Sequence, residues 1–376
     1  EISAEDALSD LSGYIDKTIR KKSVDTNSEA VISIPYTYTK RRKNILLNTF
    51  SRNGIKVLAS VDSPVAIILG FGILDKEFKS KTLVLVDIGE KEYRVYLMKL
   101  KRDNEKNTII DIIGFENGKK GGRDIDVIIS DYISECLSIH ATNYKDKAAL
   151  TNLSSSIKEH LSYFDEYDEN PIICSRMFKN RLTVEQFNMM IKKSGFMSDI
   201  FDSIFDVMDR NDLMPNDIDD IILSGGTSNI PFIKEETEKF FNKSISMPGE
   251  ADKETKTFEG EGAGRYCGMI KNNDLNISVI HRNIYDVRIK CGDEDKCVLP
   301  KGTEYNKFSD IFFFRLSDEN KNTLCIYCEN GFKQYIRFSE NGFIGVRIGT
   351  DKDGELMYRF TDASEKVISE GILGGR

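Results

Sequence analysis

Two glycine-containing stretches hold the residues best suited to chemistry. In the first, an apolar run over 218–224 leads into Gly225-Gly226-Thr227-Ser228-Asn229-Ile230-Pro231, and helical spacing resumes over 232–241. Paired glycines let a ligand approach the backbone, and the amides at a helix start suit a phosphate or a ribose. The same residues equally describe a plain strand-to-helix turn, with Ser228 as cap and Pro231 in the first turn. In the second, Asp87-Ile88-Gly89 ends the apolar run 83–86. A carboxylate there can hold a hydrated magnesium ion, and Gly89 lets phosphate oxygens near the turn. Glu90, Lys91 and Glu92 follow, however, so two carboxylates would face a polyphosphate. At ~4 Å two like unit charges repel by ~1 kcal/mol in water and ~4 kcal/mol at an effective dielectric of 20.

The other reactive side chains carry weaker signals. His140, His160 and His281 have no carboxylate or cysteine at ligand spacing, which points to surface or satisfied-core roles. Cys291, Cys297, Cys325 and Cys328 invite a zinc reading. Residues 324–328 read as a strand, though, where positions three apart face opposite ways, so buried thiols are the expectation.

These loops need a sheet to hold them. Residues 3–22 have helical spacing with Ser3 as cap and Ala7, Leu8, Leu11 and Ile15 on one face. A strand at 31–35, a helix at 40–53, a strand at 56–59 and a helix at 63–69 continue an α/β alternation. Runs at 83–86, 93–100 and 109–114 predict a three-stranded antiparallel meander. Residues 124–162 predict a helical subdomain, with Leu150, Leu153, Ile157 and Leu161 on a shared face.

The polar, turn-forming Lys271-Asn272-Asn273-Asp274 marks a boundary. Beyond it, strand-like runs at 284–290, 311–316, 323–328, 334–338, 343–348 and 356–360 predict an antiparallel sandwich. Phe312, Phe313, Phe314, Phe332, Phe338 and Phe343 must supply most of its core, and some are available to line a groove for extended peptide.

A chain of 376 residues, 40% hydrophobic and 30% charged, supports two folded domains. Its longest apolar stretches, such as 66–74, fall far short of the ~18–20 residues that cross a bilayer, so no membrane partner is expected. The net charge of −8 with dispersed Lys and Arg argues against nucleic acid. Seven scattered cysteines favour a reducing compartment. The first residues read as the start of a fragment rather than a targeting peptide.

Segments along nearly the whole chain resemble, in order and spacing, the seventy-kilodalton heat-shock (heat-shock protein 70) chaperones. Glu1-Ile2-Ser3-Ala4 resembles their Glu-Ile-Ser-Ala helix start, and residues 31–36 their Val-Thr-Val-Pro-Ala-Tyr strand. Residues 62–66 are similar to Asn-Glu-Pro-Thr-Ala, and Asp87-Ile88-Gly89 to the start of Asp-Leu-Gly-Gly-Gly-Thr. Residues 121–124 resemble Gly-Gly-Glu-Asp, Lys158 with Leu161-Ser162 resembles Lys-Arg-Thr-Leu-Ser, and 225–231 resembles Gly-Gly-Ser-Thr-Arg-Ile-Pro, the most specific of these. In the tail, 298–300 and 351–360 resemble the family's Thr-Ile-Pro and its Asp-Ala-Asn-Gly hairpin.

The resemblance implies an actin-like (ribonuclease-H-like) α/β nucleotide-binding domain lacking its first part over 1–271, a linker at 272–275, and a peptide-binding antiparallel β-sandwich over 276–376. It implies ATP or ADP with magnesium at Asp87, phosphates at Gly89, Gly225 and Gly226 with Ser228 beside them, and adenosine at Lys158 and Ser162. Unfolded polypeptides and co-chaperones are the implied partners, in the cytoplasm or alternatively the endoplasmic reticulum lumen. Departures accompany it. Glu90, Lys91, Glu92 and Arg94 stand where the family has Gly, Gly, Thr and Asp; Ser63 replaces a magnesium-shell Glu; and Glu159 and Asn229 replace two adenine-stacking arginines. The expected function is therefore an ATP-binding chaperone that binds unfolded polypeptide under nucleotide control. The alternative is a non-hydrolysing co-chaperone, scaffold or exchange factor, like the hundred-and-ten-kilodalton relatives. A sugar or acid kinase is a weaker third reading, since those folds are not expected to carry the β-rich tail.

Overall fold

The computed structural model describes residues 3–22, 29–245 and 255–374. Glu1 and Ile2 of the helix-start motif lie outside them. The chain divides into two compact units, one of residues 1–62, 106–113 and 269–376, the other of 63–105 and 114–268.

The second unit carries the candidate loops. The strand Asp220–Ser224 runs parallel to Ser80–Ile88, which pairs antiparallel with Tyr93–Arg102. The strand Thr108–Gly118, whose last residues belong to this unit, is next in order, so the expected meander is present. Leu83 to Val86 and Val95 to Met98 are buried on both faces of the sheet, which explains their unbroken apolar runs. Beside the sheet, Gly122–Leu137 and Tyr144–Leu161 form the expected helical part. Asn143 caps the second of these helices by accepting from the Asp146 amide at 2.9 Å, and Leu150, Leu153, Ile157 and Leu161 make its buried face as the spacing predicts. The wholly buried helix Ser63–Gly70 touches Phe258–Asn272 where Gly262 meets the Ala66 carbonyl.

In the first unit, Ser3 caps the helix Ala4–Lys22 through Asp6. Its buried positions are Ser12 and Asp16, with Leu11 53% exposed, so the apolar face expected over Ala7 and Leu11 is rotated. Neighbouring polar bonds, such as Asn53 Nδ2 to Ser9 Oγ at 3.1 Å, set that rotation instead. Strands Glu29–Ile34 and Lys56–Asp62 pair in parallel. Residues 273 and 274 close the helix Phe258–Asn272, and the strand Ile277–Ile280 follows, parallel to Thr108–Asp111.

His281 then lies 2.6 Å from buried Asp62, a carboxylate partner that sequence spacing did not reveal because the two lie 219 positions apart. Burial pushes the Asp62 carboxyl up, but the His281 bond and the Lys43 charge prevail and hold it below the ordinary range.

Residues beyond 286 form two four-stranded antiparallel sheets. One has the order Glu294–Leu299, Val287–Cys291, Thr323–Cys328, Lys333–Arg337, and the other Phe312–Leu316, Gly342–Thr350, Leu356–Thr361, Val367–Ile372. Inward residues of both, among them Ile289, Ile326, Phe314 and Val346, share one apolar core. Phe314 is fully buried, and Phe312, Phe332 and Phe338 pack at its margin, while Phe313 and Phe343 are exposed. Cys291, Cys325 and Cys328 are buried free thiols, and desolvation lifts that of Cys328 to about 12.

Candidate functional site

The parallel pairing of Asp220–Ser224 with Ser80–Ile88 puts Ser224 beside Asp87, so the two candidate turns leave the sheet together. Gly225 adopts φ +85°, and a Cβ there would lie 2.3 Å from the Ile88 carbonyl oxygen and 2.8 Å from Asp87 Oδ1. This glycine is therefore required by the close approach of the Ile88 backbone. Gly226 differs, since a Cβ would meet nothing within 4 Å and the residue lines a cleft of about 480 Å³.

Lys158, Ser162, Glu159 and Asn229 line the same cleft, joined by Glu90, Arg123, Asp126, Tyr163, Thr227 and Lys256. Three sequence-predicted residues, Lys158, Ser162 and Gly226, thus converge from two distant segments. Lys158 does not sit on a solvated helix face, its side chain being largely buried. Its Nζ lies 2.7 Å from the buried Asp126 carboxylate and donates to the Gly122 carbonyl at 3.0 Å. Desolvation lifts the Asp126 carboxyl above the ordinary range even with Lys158 beside it. Ser162 ends the helix Tyr144–Leu161 and donates to the Lys158 carbonyl at 2.9 Å.

Ser228 faces neither cleft nor helix start. It is buried and its hydroxyl donates back to the Ser224 carbonyl, while the helix Pro231–Phe241 starts without a side-chain cap. A short 3₁₀ turn, Gly226–Asn229, begins at the second glycine and precedes that helix, so the dipole end expected immediately after Gly226 is displaced.

The loop after Asp87 is closed on itself. The Gly89 amide donates to Glu92 O at 3.0 Å, and Gly89 O accepts from the Gly122 amide at 3.0 Å and from Thr227 Oγ1 at 2.9 Å. Arg94, opposite Asp87 in the strand register, lies 3.2 Å from its carboxylate and also bonds Glu92. Arg123 pairs with Glu90 at 3.0 Å.

Magnesium requires several oxygens in near-octahedral array at ~2.0–2.1 Å, commonly one or two carboxylates with waters. Here guanidinium groups hold the Asp87, Glu90 and Glu92 carboxylates, and among the described residues no three acidic, His or Cys side chains converge as a metal site. The residues at Asp87 do not fit a magnesium ion, contrary to the expectation from sequence.

Burial pushes the Asp87 carboxyl above its ordinary range against the pull of Arg94, with Glu259 and Glu92 adding to the rise. An aspartate raised on folding contributes most at low pH and loses that contribution as pH climbs through the window above its ordinary value. Asp87→Asn is therefore expected to flatten the fall in stability between acid and neutral pH. Chemical denaturation of both proteins at several pH values checks this; identical slopes would contradict it.

Sequence reasoning missed Arg94 as a counter-ion, Asp126, Tyr163, and Thr255, whose hydroxyl bonds Gly225 O at 2.6 Å and Asn229 Oδ1 at 2.8 Å. Asp126 sits two positions after the recognisable Gly121-Gly122-Arg123-Asp124, which was the one available signal.

A family model described as Hsp70 protein matches residues 1–275. Among curated proteins the chain is similar to heat shock 70 kDa protein 4 of Rattus norvegicus, Homo sapiens and Pongo abelii. Each is 22% identical over 255 residues, which is 65% of this chain and 30% of the relative. The chain thus spans about a third of the length of these relatives.

Proposed function

From the premise that this chain belongs to the Hsp70 family, we propose that it binds unfolded polypeptide and holds adenine nucleotide in the Gly226 cleft without hydrolysing it. The family as a whole binds ATP or ADP with magnesium and engages unfolded polypeptides and co-chaperones. The mixed α/β sheet fits its actin-like nucleotide-binding fold. The observation that carries the reading is the convergence of Lys158, Ser162 and Gly226 on one cleft. We assign residues 1–271 to a partial nucleotide-binding part and 276–376 to a peptide-binding β-sandwich. The core shared between its two sheets supports that assignment. The seven free thiols favour the reducing cytoplasm.

Non-hydrolysis follows from charge. Catalysis of phosphoryl transfer needs donors and metal aimed where negative charge develops. The loop after Asp87 offers carboxylates already neutralised by Arg94 and Arg123. The same pairing favours the second reading, a co-chaperone or scaffold in which nucleotide has no controlling role.

Phe313 and Phe343 lie on the outward face of their sheet, beside Gly345 and Arg315 in the register, as an apolar contact for an extended chain. Phe343→Glu is expected to weaken binding of a labelled unfolded client about fivefold, with an unchanged melting curve. Fluorescence anisotropy with and without ADP measures both client affinity and nucleotide control. Client binding indifferent to nucleotide would select the scaffold reading, and steady ATP turnover abolished by Asp87→Ala would overturn non-hydrolysis.

A further inference from the structure

We propose that the outer face of the sheet formed by Glu294–Leu299, Val287–Cys291, Thr323–Cys328 and Lys333–Arg337 is a docking surface for an acidic, extended polypeptide segment. This surface lies on the sheet that does not carry Phe313 and Phe343, and the inference depends on neither nucleotide nor client binding.

In this sheet Val287, Ile289, Leu324, Ile326 and Ile336 turn inward to the shared core. Alternation along each strand sends their neighbours to the opposite face. The strand Val287–Cys291 therefore presents Arg288 and Lys290 outward, and Lys333–Arg337 presents Lys333, Tyr335 and Arg337. Between these strands, Thr323–Cys328 contributes the small Thr323 and Cys325, with Tyr327 at one end. Register places Arg288 across Tyr327 from Lys333, and Lys290 across Cys325 from Tyr335. Two strand spacings separate the cation-bearing strands, ~10 Å, so long basic side chains flank a low floor as the two sides of a trough.

The charge of this face is one-sided, although the chain as a whole carries −8. On these three strands every charged outward residue is basic. The fourth strand adds Asp295, which accepts from the Tyr327 hydroxyl at 2.6 Å and from Arg288 Nε at 3.0 Å. Among the described residues no carboxylate pairs with Lys290, Lys333 or Arg337. Lysine on an edge strand commonly serves to block unwanted strand pairing. That accounts for Lys333–Arg337, the edge of the sheet, but not for Arg288 and Lys290, whose strand has neighbours on both sides.

An extended polypeptide lying along the trough sends alternate side chains to its two sides, so successive carboxylates reach the two cation-bearing strands in turn. A single-stranded nucleic acid would instead need open aromatic faces on which to stack its bases. Here Lys333 Nζ stands 5.2 Å from the centroid of the Tyr335 ring, and the Tyr327 hydroxyl is tied to Asp295. The rings are thus engaged in holding the charges of the face, which favours a carboxylate-bearing partner.

The test is fluorescence anisotropy of the full chain with labelled hexaglutamate, hexaglutamine and a thymidine oligonucleotide of equal charge, at about 50 and about 300 mM NaCl. Hexaglutamate is expected to bind at least about tenfold more tightly than hexaglutamine and to weaken about tenfold at the higher salt. The combined Lys290→Gln, Lys333→Gln and Arg337→Gln variant is expected to lose about tenfold in hexaglutamate affinity. A control with Lys145→Gln, Lys192→Gln and Lys193→Gln, exposed lysines elsewhere on the chain, should stay within about twofold. Equal binding of the two peptides, which needs no variant to measure, would overturn the inference, as would equal losses in the two triple variants. Tighter binding of the oligonucleotide than of hexaglutamate would give the face to nucleic acid and overturn the assignment to polypeptide. Sedimentation that showed a dimer dissociating only in the Lys290, Lys333 and Arg337 variant would give it to a second copy and overturn that assignment too.

Discussion

Gly262→Ala is expected to destabilise the protein by about 3 kcal/mol or more, although alanine is the better helix former by ~1 kcal/mol. The added Cβ would fall 1.7 Å from the Ala66 carbonyl oxygen and 2.8 Å from the Gly70 amide nitrogen. Those atoms belong to the backbone of the helix Ser63–Gly70, in which every residue is buried, so neither helix can yield by turning a side chain. The two must separate, and closely packed interiors resist that. Gly260, Gly264 and Gly268 of the same helix provide the control, because a Cβ at each meets nothing within 4 Å. Alanine there is expected to stabilise by ~0.5–1 kcal/mol. Denaturant melts of the four variants therefore separate helix propensity from helix contact. A Gly262→Ala protein as stable as the controls would show that the close approach is not maintained.

Lys158→Met should have the second large effect. It removes the ammonium 2.7 Å from Asp126 and leaves a carboxylate only 6% exposed without that partner. Breaking one side of a buried pair costs about 3–5 kcal/mol, whereas replacing both members restores much of it. Lys158→Met with Asp126→Leu should accordingly be more stable than Lys158→Met alone. The pH dependence has a definite sign. Burial already lifts the Asp126 carboxyl, and loss of Lys158 lifts it further, so the penalty is full at neutral pH and shrinks as acid protonates Asp126. Melts of the single and double variants at acid and neutral pH test this. A pH-independent loss would point to packing of the lysine stem rather than to charge.

Wherever a period or a turn residue carries the information, these elements were legible in the sequence. The buried face of Tyr144–Leu161 follows from its 3.6-residue spacing. The strand Thr323–Cys328 has the bounds its β-branched, aromatic and cysteine run suggested. The strands Glu294–Leu299 and Val367–Ile372 were missed, because the first is half charged and the second is largely exposed on both faces, so neither shows alternation. The helix Ala4–Lys22 showed a correct cap and a wrong face, because its burial is set by polar contacts that a hydrophobic pattern does not register.

The candidate site divides along the same line. Sequence by itself determined that Asp87-Ile88-Gly89 and Gly225-Gly226 each end a buried strand, and that Lys158 and Ser162 share a helix end. It also determined that carboxylates follow Gly89 where a phosphate loop would want glycine. Tertiary structure decided what each residue does with its position. Gly225 meets Ile88, Gly226 faces open space, Ser228 turns inward, Lys158 binds Asp126, and Arg94 answers Asp87 across the strand pair. Those outcomes depend on which groups approach within a few ångströms across separations of 4 to 138 residues. Local composition can specify a turn, but only the closed fold determines whether its amides and charges are left for a ligand or taken by the protein itself.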